Sequence, residues 1–279
     1  MIARGERGAA VRTTSRSVLS VALALGVFLT GCAPRSESSG RDAAARREVR
    51  VAAASDLQFA LAELVPLFER AQPGIEVKVT YGSSGNFFNQ LSNRAPFDLF
   101  LSADLEYPRR LATAGSAASS TLFRYAVGRV VVWVPNDSPI EVERLQIHAL
   151  TEARKIAIAN PEHAPYGRAA VEAMKHFGLY DTVRDRLVLG ENIAQTAQFV
   201  ASGGAEIGII ALSLAIAPEM RAAGRYWEIP LEAYPRLEQG GVVLSWAQDQ
   251  AAAIALRDFM VAPAGRAVLE RYGFIPGEK

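Results

Sequence analysis

Short apolar runs of strand length alternate with segments of helical period along most of this chain. Residues 49–54 are apolar and are followed by leucines and Phe68 at helical spacing, and the alternating run 75–81 precedes a short helical segment. A second series of the same kind begins at residues 156–159. Such alternation is typical of mostly parallel sheets covered by helices, so the sequence predicts an α/β fold.

The organisation into two series predicts two lobes. Residues 125–135 include five valines and Trp133, which predicts one long buried strand near the end of the first series. The chain then returns to the first unit late in the sequence. We therefore expect a first lobe of residues 48–125 plus 233–279 and a second lobe of residues 126–232, hinged around a cleft.

Four polar turns follow predicted strands, two in each series. Ser55 and Asp56 follow the first strand, residues 82–85 follow the second, and residues 160–167 and 191–193 occupy the equivalent places in the second series. Ligands of open α/β sheets bind outside the carboxyl ends of strands. Hydroxyls and free N–H groups at helix starts hold anions without Lys or Arg, so this placement predicts capture of a small oxyanion.

The N-terminus is typical of a targeting segment. Four arginines precede the apolar residues 18–29, a stretch too short for a comfortable membrane span, and Leu29, Thr30, Gly31 and Cys32 follow. This ending resembles the lipobox of bacterial lipoproteins, in which the cysteine is diacylated and becomes the first mature residue. We expect a signal peptide at 1–31, lipidation of Cys32, a flexible tether at 32–47, and an exported protein anchored at the periplasmic or cell surface. The alternative is an ordinary cleaved signal.

Charge and cysteine content exclude several kinds of site. The whole chain carries a formal charge of +1, and the leader has four Arg against one Glu, which leaves −2 for the mature part. That balance argues against nucleic acid as a partner. Cys32 is the single cysteine, so no disulfide or thiolate metal site can form within one chain. The histidines 148, 163 and 176 lack metal-ligand spacing, and we expect no cofactor.

Five segments, in order along the chain, carry a family resemblance. They are residues 52–55 (Ala-Ala-Ala-Ser), 81–85 (Tyr-Gly-Ser-Ser-Gly), 95–104 (Ala-Pro-Phe-Asp-Leu-Phe-Leu-Ser-Ala-Asp), 160–167 (Asn-Pro-Glu-His-Ala-Pro-Tyr-Gly) and 271–274 (Arg-Tyr-Gly-Phe). From about residue 49 to residue 274, the chain resembles the periplasmic molybdate-binding proteins of ABC importers.

The resemblance implies a type II periplasmic-binding-protein-like fold whose lobes close on molybdate or tungstate. It places the hydroxyl ligands at Ser55 and Ser84, and the backbone N–H ligands at Tyr166 and Ile193, with Asn192 or Ala194 as alternatives to Ile193. The side chain of Tyr166 is given no role. The expected partner is an ABC permease in the inner membrane, and we expect a monomer.

Two positions depart from that pattern. Ala211 stands where one branch of the family has a tyrosine ligand, so either that contact is missing or Tyr166 and its neighbours supply it. Asp56 would place a carboxylate near a dianion, a repulsion of a few kcal/mol at about 4 Å. We expect Asp56 to point away and to act in the first helical turn. The alternative is that it accepts a hydrogen bond from a protonated anion such as hydrogen phosphate.

Other functions remain open at this point. A binder of sulfate, phosphate or a small organic anion has the same requirements, because sulfate shares the charge and shape of molybdate. A hydrolase fits less well, since residues 82–85 lack the Gly-x-Ser-x-Gly spacing of a nucleophile elbow and no histidine follows a suitable strand end. We therefore expect no catalytic residue.

Overall fold

The computed structural model describes residues 47–277 as two mixed β-sheets flanked by helices. The strands are β1 Arg47–Ala54, β2 Ile75–Gly82, β3 Leu99–Ser102, β4 Phe123–Gly128, β5 Val130–Pro135, β6 Ile156–Ala159, β7 Leu187–Gly190, β8 Ile207–Ala211, β9 Gly224–Glu228, β10 Leu237–Val243 and β11 Ile275–Pro276. The α/β fold predicted from the sequence is confirmed.

Helices connect most of the parallel strands. They are α1 Gln58–Ala71, α2 Ser84–Ser92, α3 Glu106–Thr113, α4 Val142–Leu145, α5 Pro165–His176, α6 Tyr180–Val183, α7 Ile193–Ala201, α8 Leu212–Ala215, α9 Pro218–Ala223, α10 Gln250–Val261 and α11 Pro263–Arg271. In α1, the residues that recur at helical spacing, including Leu61, Leu64 and Phe68, are buried against the first sheet and its helices. A short 3₁₀ turn, Ser55–Leu57, joins β1 to α1.

The first sheet has the strand order β11-β4-β10-β3-β1-β2. The strands β2, β1 and β3 are parallel, whereas β10 lies antiparallel between β3 and β4. We call this sheet with its helices the first lobe. Ala54 pairs with Gly82 at the carboxyl ends of β1 and β2, so the polar turns that follow these two strands lie side by side.

The second sheet has the order β7-β6-β8-β5-β9 and, with its helices, forms the second lobe. The strands β7, β6 and β8 are parallel, and β5 is antiparallel to both β8 and β9. Ala159 pairs with Gly190 at the carboxyl ends of β6 and β7, which brings the two polar turns of this lobe together. Both sheets are mixed, because strands next to the chain crossings, β10 in the first sheet and β5 in the second, pair antiparallel with their neighbours.

The single long strand predicted at residues 125–135 is wrong. It is two strands in different sheets, β4 and β5, separated by Arg129 alone. Gly128 ends β4 where a Cβ would lie 2.3 Å from the hydroxyl of Tyr166, so the chain can pass between the lobes only with glycine there. The chain crosses back between Glu228 and Leu237, where β9 ends and β10 begins.

Each lobe has its own apolar core. The large core of the second lobe surrounds β5, with Trp133 fully buried, and the first lobe has cores on both faces of its sheet. Among residues 47–277, no helix combines the length and the apolar character that crossing a membrane would require.

The predicted signal peptide, Cys32 and most of the predicted tether lie outside the described residues. Arg47, expected to end the tether, is instead the first residue of β1. It pairs with Ile75 of β2, and its guanidinium forms an ion pair with Asp249. These contacts attach the start of β1 to β2 and to Asp249, the N-cap residue of α10.

Candidate functional site

The first lobe contributes two serines from the adjacent ends of β1 and β2. Ser55 and Ser84 are both buried. Ser84 begins α2, and its Oγ accepts a hydrogen bond from the N–H of Ala103 at 3.0 Å. Because that bond uses a lone pair of Ser84, the hydroxyl hydrogen is left to donate to a ligand. Ser83 has a different role, since its Oγ caps α2 by accepting from Asn86 N at 3.4 Å.

The second lobe contributes the starts of α5 and α7. Tyr166 lies in the first turn of α5, and Ala164 before it provides no side-chain cap. Ile193 is the first residue of α7, where the Asn192 side chain accepts from the N–H groups of Ala194 and Gln195 at 3.0 Å each. N–H groups in a first turn have no acceptor within the helix. Tyr166 and Ile193 therefore each present an N–H in the positive end of a helix dipole.

The helix α5 begins earlier than the helical pattern indicates. This early start places Tyr166 in the first turn, where its N–H has no acceptor within the helix. The sequence pattern predicts a helix from residue 168, whereas α5 starts at Pro165. Proline is favoured at the first helical position because its missing N–H needs no acceptor there. Gly167 allows this turn to approach β6, since a Cβ would lie 2.1 Å from the carbonyl oxygen of Ala159.

The four turns meet at one small cavity between the lobes, where about 190 Å³ of space, part of it open solvent, is not filled by protein atoms. Its lining residues are Ala54, Ser55, Asp56, Gly82, Ser83, Ser84, Ala103, Ala164, Pro165, Tyr166 and Ile193. Both predicted serines and both predicted N–H residues are among them. No Lys, Arg or His lines it within the described chain, so neutral donors dominate a wall that also holds one carboxyl group.

Ser55 bridges the lobes directly. Its hydroxyl donates to Asn192 Oδ1 at 3.1 Å and accepts from the N–H of Ala194 at 3.3 Å. The side chain of Asn192, an alternative to Ile193 in the sequence prediction, thus accepts the hydrogen bond that the Ser55 hydroxyl can donate. An anion that takes the Ser55 hydrogen would have to displace this bond.

Asp56 is fully buried and does not cap a helix. Its Oδ2 accepts from the hydroxyl of Tyr166 at 2.9 Å and from Nε2 of Gln239 at 2.7 Å, and this amide nitrogen also lies 3.0 Å from the tyrosine oxygen. Burial raises the pKa of Asp56 to about 6, while the hydrogen bonds from Gln239 and Tyr166 oppose that rise. Asp56 thus reaches across the lobe interface instead of acting in the first turn of α1.

The side chain of Tyr166, to which the sequence assigns no role, makes a contact between the lobes. The side chain is buried, and its hydroxyl joins the second lobe to Asp56 of the first. Burial, followed by the charge of Asp56, raises the pKa of Tyr166 well above its ordinary value. Gln239 was not identified from the sequence, because a lone glutamine in an apolar strand gives no signal of a partner 183 positions away.

Ala211 is buried at the end of β8 and pairs with Val130 of β5. It is not among the residues that line the cavity. The hydroxyl of Tyr166 is hydrogen-bonded to Asp56. Just after Ala211, the Oγ of Ser213 donates to the backbone oxygen of Asp56 at 2.8 Å, so this segment fixes the Asp56 turn from the second lobe.

Further contacts between the lobes surround the cavity. The N–H of Gly85 donates to the carbonyl oxygen of His163 at 2.9 Å. Asn86 hydrogen-bonds Glu191 across the same edge, and Arg168 forms an ion pair with Asp104 at 2.6 Å. These contacts hold the lobes in a closed arrangement. No cluster of three or more His, Cys, Asp or Glu in residues 47–277 has the geometry of a metal site.

Comparison with known proteins gives consistent matches. Residues 49–275 match the family described as bacterial extracellular solute-binding protein. The molybdate-binding protein ModA of Azotobacter vinelandii is 34% identical over 93% of this chain and 98% of its own length. ModA of Rhodobacter capsulatus is 35% identical over 83% of this chain and 90% of its own. The solved structure of the Azotobacter vinelandii periplasmic molybdate-binding protein superposes with a TM-score of 0.77 at 30% identity, covering 82% of this chain and 100% of that one.

Proposed function

This chain belongs to the family of bacterial extracellular solute-binding proteins, and on that premise we propose that it captures molybdate or tungstate and delivers it to an ABC permease. One observation carries the choice of ligand class. Four sets of neutral donors, two from each lobe, line one cavity that has no basic side chain among its described lining residues. The names of the relatives support molybdate as the ion.

In the proposed complex, the hydroxyls of Ser55 and Ser84 and the N–H groups of Tyr166 and Ile193 donate to the ion. Molybdate carries no proton at neutral pH, so each of its oxygens is an acceptor and a wall of donors matches it. Hydrogen bonds to a charged partner contribute about 1.5–3 kcal/mol each, which gives on the order of 6–12 kcal/mol from four before dehydration and closure are subtracted. Closure follows binding, because each lobe supplies half of the donors.

The proposed lobe boundaries follow the two crossings of the chain. The first lobe comprises β1 to β4 with the C-terminal part from β10, and the second comprises β5 to β9. Arg129 and residues 229–236 would then form the hinge, a few residues from the boundaries expected at 126 and 233. Two adjacent connections of this kind permit closure by rotation.

A hydrolase receives no support from the described residues. The ring of His163 lies 3.0 Å from the backbone oxygen of Glu191 and makes no hydrogen bond with Ser55 or Ser84. A nucleophilic serine needs a base within hydrogen-bond reach. We propose that the protein binds its ligand without transforming it.

Calorimetric titration of the mature protein with molybdate, tungstate, sulfate and phosphate tests the proposal. We expect molybdate and tungstate to bind at a stoichiometry of one, and sulfate and phosphate to bind much more weakly. At a ligand concentration of about 100 times Kd, the bound ion should stabilise the folded protein by about 2.7 kcal/mol. The thermal unfolding temperature should rise accordingly. If sulfate or phosphate binds more tightly than molybdate, that ion is the ligand instead. If no oxyanion binds, the protein does not capture oxyanions and the proposal is wrong.

Ser84→Ala should weaken molybdate binding by about 1–3 kcal/mol, which is about 5- to 150-fold in Kd, because one hydrogen bond to a charged ligand is lost. The matched control is Ser92→Ala at the exposed end of the same helix, where the hydroxyl bonds only to the Phe88 carbonyl oxygen at 2.8 Å. Titration calorimetry measures both variants, and thermal unfolding checks that both fold. An affinity equal to that of the wild type would remove Ser84 from the site.

We also propose that Cys32 is lipidated and anchors the protein, on the basis of the Leu29-Thr30-Gly31-Cys32 sequence after an apolar leader. Cys32→Ser should shift the protein from the membrane fraction to the soluble extracytoplasmic fraction, because one or two acyl chains supply the membrane affinity. Fractionation followed by mass spectrometry of the N-terminal peptide measures this. An unmodified Cys32 in the wild-type protein would contradict the anchor.

A further inference from the structure

The Asp56 carboxyl group is an unusual component of a wall that would receive a dianion. Asp56 has no exposed surface, and it lines the same cavity as Ser55 and Ser84. Two neutral groups, the Tyr166 hydroxyl and the Gln239 amide, donate to its Oδ2. Its Oδ1 is buried and has no hydrogen-bond partner in the described structure. An ionised carboxylate can accept about four hydrogen bonds, so half of this capacity is unused.

No cation compensates the Asp56 charge within the described structure. The helices that pack on the Asp56 turn from the second lobe, α7 and α8, contain no ionisable residue. The ionisable group that faces it from α5 is Tyr166, and the one from β4 is Tyr125, whose hydroxyl donates to the Ser102 carbonyl oxygen. The strand β10 presents the neutral Gln239.

Several charged groups of neighbouring elements are engaged with other partners. In α1, Glu63 pairs with Arg271, and Glu69 accepts from the N–H of Val77. Arg168 of α5 pairs with Asp104 of the first lobe. At the edge of the cavity, the ring of His163 lies 3.4 Å from the carboxylate of Glu191. None of these basic groups forms an ion pair or hydrogen bond with Asp56.

The charges that would meet in the cavity determine the protonation state of Asp56 in the complex. A dianion beside an ionised Asp56 would put three negative charges in a space from which water is excluded, opposed only by neutral donors. At a few ångströms and an intermediate dielectric, that repulsion amounts to several kcal/mol and would cancel the gain from the donors. A proton on Oδ1 removes the charge and converts the unpartnered oxygen of Asp56 into a donor.

We propose that capture of a tetrahedral dianion is coupled to the uptake of one proton from solvent, which Asp56 holds in the closed complex. This inference rests on the proposed function and concerns the same cavity. Burial, opposed by the hydrogen bonds from Gln239 and Tyr166, raises the pKa of Asp56 to about 6, and a dianion nearby raises it further. At neutral pH the free protein therefore holds Asp56 mostly ionised, and the complex holds it protonated.

Two measurable consequences follow. Between the lower pKa of the free protein and the higher pKa of the complex, the affinity should fall about tenfold for each pH unit of increase, since one proton is bound with each ion. Hydrogen phosphate brings its own proton and could donate it to an ionised Asp56, so its binding would need no proton uptake. Proton-coupled capture thus favours proton-free dianions as the pH falls.

The experiment is titration of the mature protein with molybdate in buffers of different ionisation enthalpy, from about pH 6 to about pH 8.5. The dependence of the observed heat on buffer enthalpy gives the number of protons taken up. We expect about one near pH 7.5, together with the tenfold affinity change per pH unit. Asp56→Asn carries a permanent amide donor, so it should bind without proton uptake and with an affinity independent of pH.

The outcomes separate this inference from the function on which it rests. Tight molybdate binding by the wild type with no proton uptake and a flat pH profile would overturn proton coupling while the proposed function stands. Uptake that persists in Asp56→Asn but disappears in His163→Gln would assign the proton to the histidine and overturn the role of Asp56. Failure of every oxyanion to bind at any pH would overturn the proposed function itself. If Asp56→Asn does not fold, the wild-type and His163→Gln measurements still decide.

Discussion

Replacing Gly85 by valine should reduce the affinity for molybdate at least about a hundredfold, equal to about 2.7 kcal/mol of binding free energy. The N–H of Gly85 donates to the carbonyl oxygen of His163 in the other lobe at 2.9 Å. A Cβ on residue 85 would lie 2.6 Å from that oxygen and 2.9 Å from the Cα of His163. Both are backbone atoms that cannot rotate away, so the lobes would be held apart and the donors of the second lobe could not reach the ion.

The change should leave the ligand-free protein folded, because the two backbone clashes arise only when the lobes meet. The third close neighbour, the hydroxyl of Tyr107 in the same lobe at 2.9 Å, is the far end of a side chain that can move. Asn89→Val is the matched control, since it introduces the same β-branched residue on the exposed face of the same helix. Titration calorimetry gives the affinities, and thermal unfolding without ligand compares the stabilities. If Gly85→Val bound molybdate within about threefold of Asn89→Val, capture would not require the lobes to approach this closely, and the closed arrangement would not be the bound form.

Much of the site could be placed from sequence because its parts are local. A strand followed by a polar turn and a helix start is readable within about ten residues, and parallel pairing then brings the turns together. The register Ala54 with Gly82 and Ala159 with Gly190 is what places Ser55 near Ser84 and the start of α5 near the start of α7. Pattern and topology thus place the four turns together, whereas the choice of individual residues within them comes from the family resemblance.

The contacts between the lobes could not be predicted, because they join residues far apart in sequence. Gln239 meets Asp56 across 183 positions and Tyr166 meets it across 110, and none of the three sits in a motif that specifies its partner. The break at Gly128 was hidden for a related reason. Because the residues before and after Gly128 both have the apolar pattern of a buried strand, residues 125–135 are predicted as one strand. The topology shows that β4 and β5 belong to different sheets.

Asp56→Asn should stabilise the ligand-free protein relative to the wild type increasingly as the pH rises, by up to about 3 kcal/mol. Burial raises the pKa of Asp56 from 3.8 to about 6. A difference of one pKa unit between the folded and unfolded states changes the free energy of unfolding by about 1.36 kcal/mol. In this range the folded protein holds a proton that the unfolded chain has lost. The stability of the wild type from this group is thus fully present below about pH 3.8 and is lost as the pH rises through about 6.

The amide that Asp56→Asn introduces would not titrate, so the difference between the two unfolding free energies isolates Asp56 from every other ionisable group. Denaturant unfolding from about pH 3.5 to about pH 7.5 should show that difference changing in favour of the variant up to about pH 6 and constant above it. Asp137→Asn, which removes an exposed carboxylate, is the matched control for the loss of one acid. A difference independent of pH would mean that Asp56 is solvated in the free protein. Its complete burial would then belong to the closed arrangement alone, and the energy needed to bury it would be supplied by the captured ion.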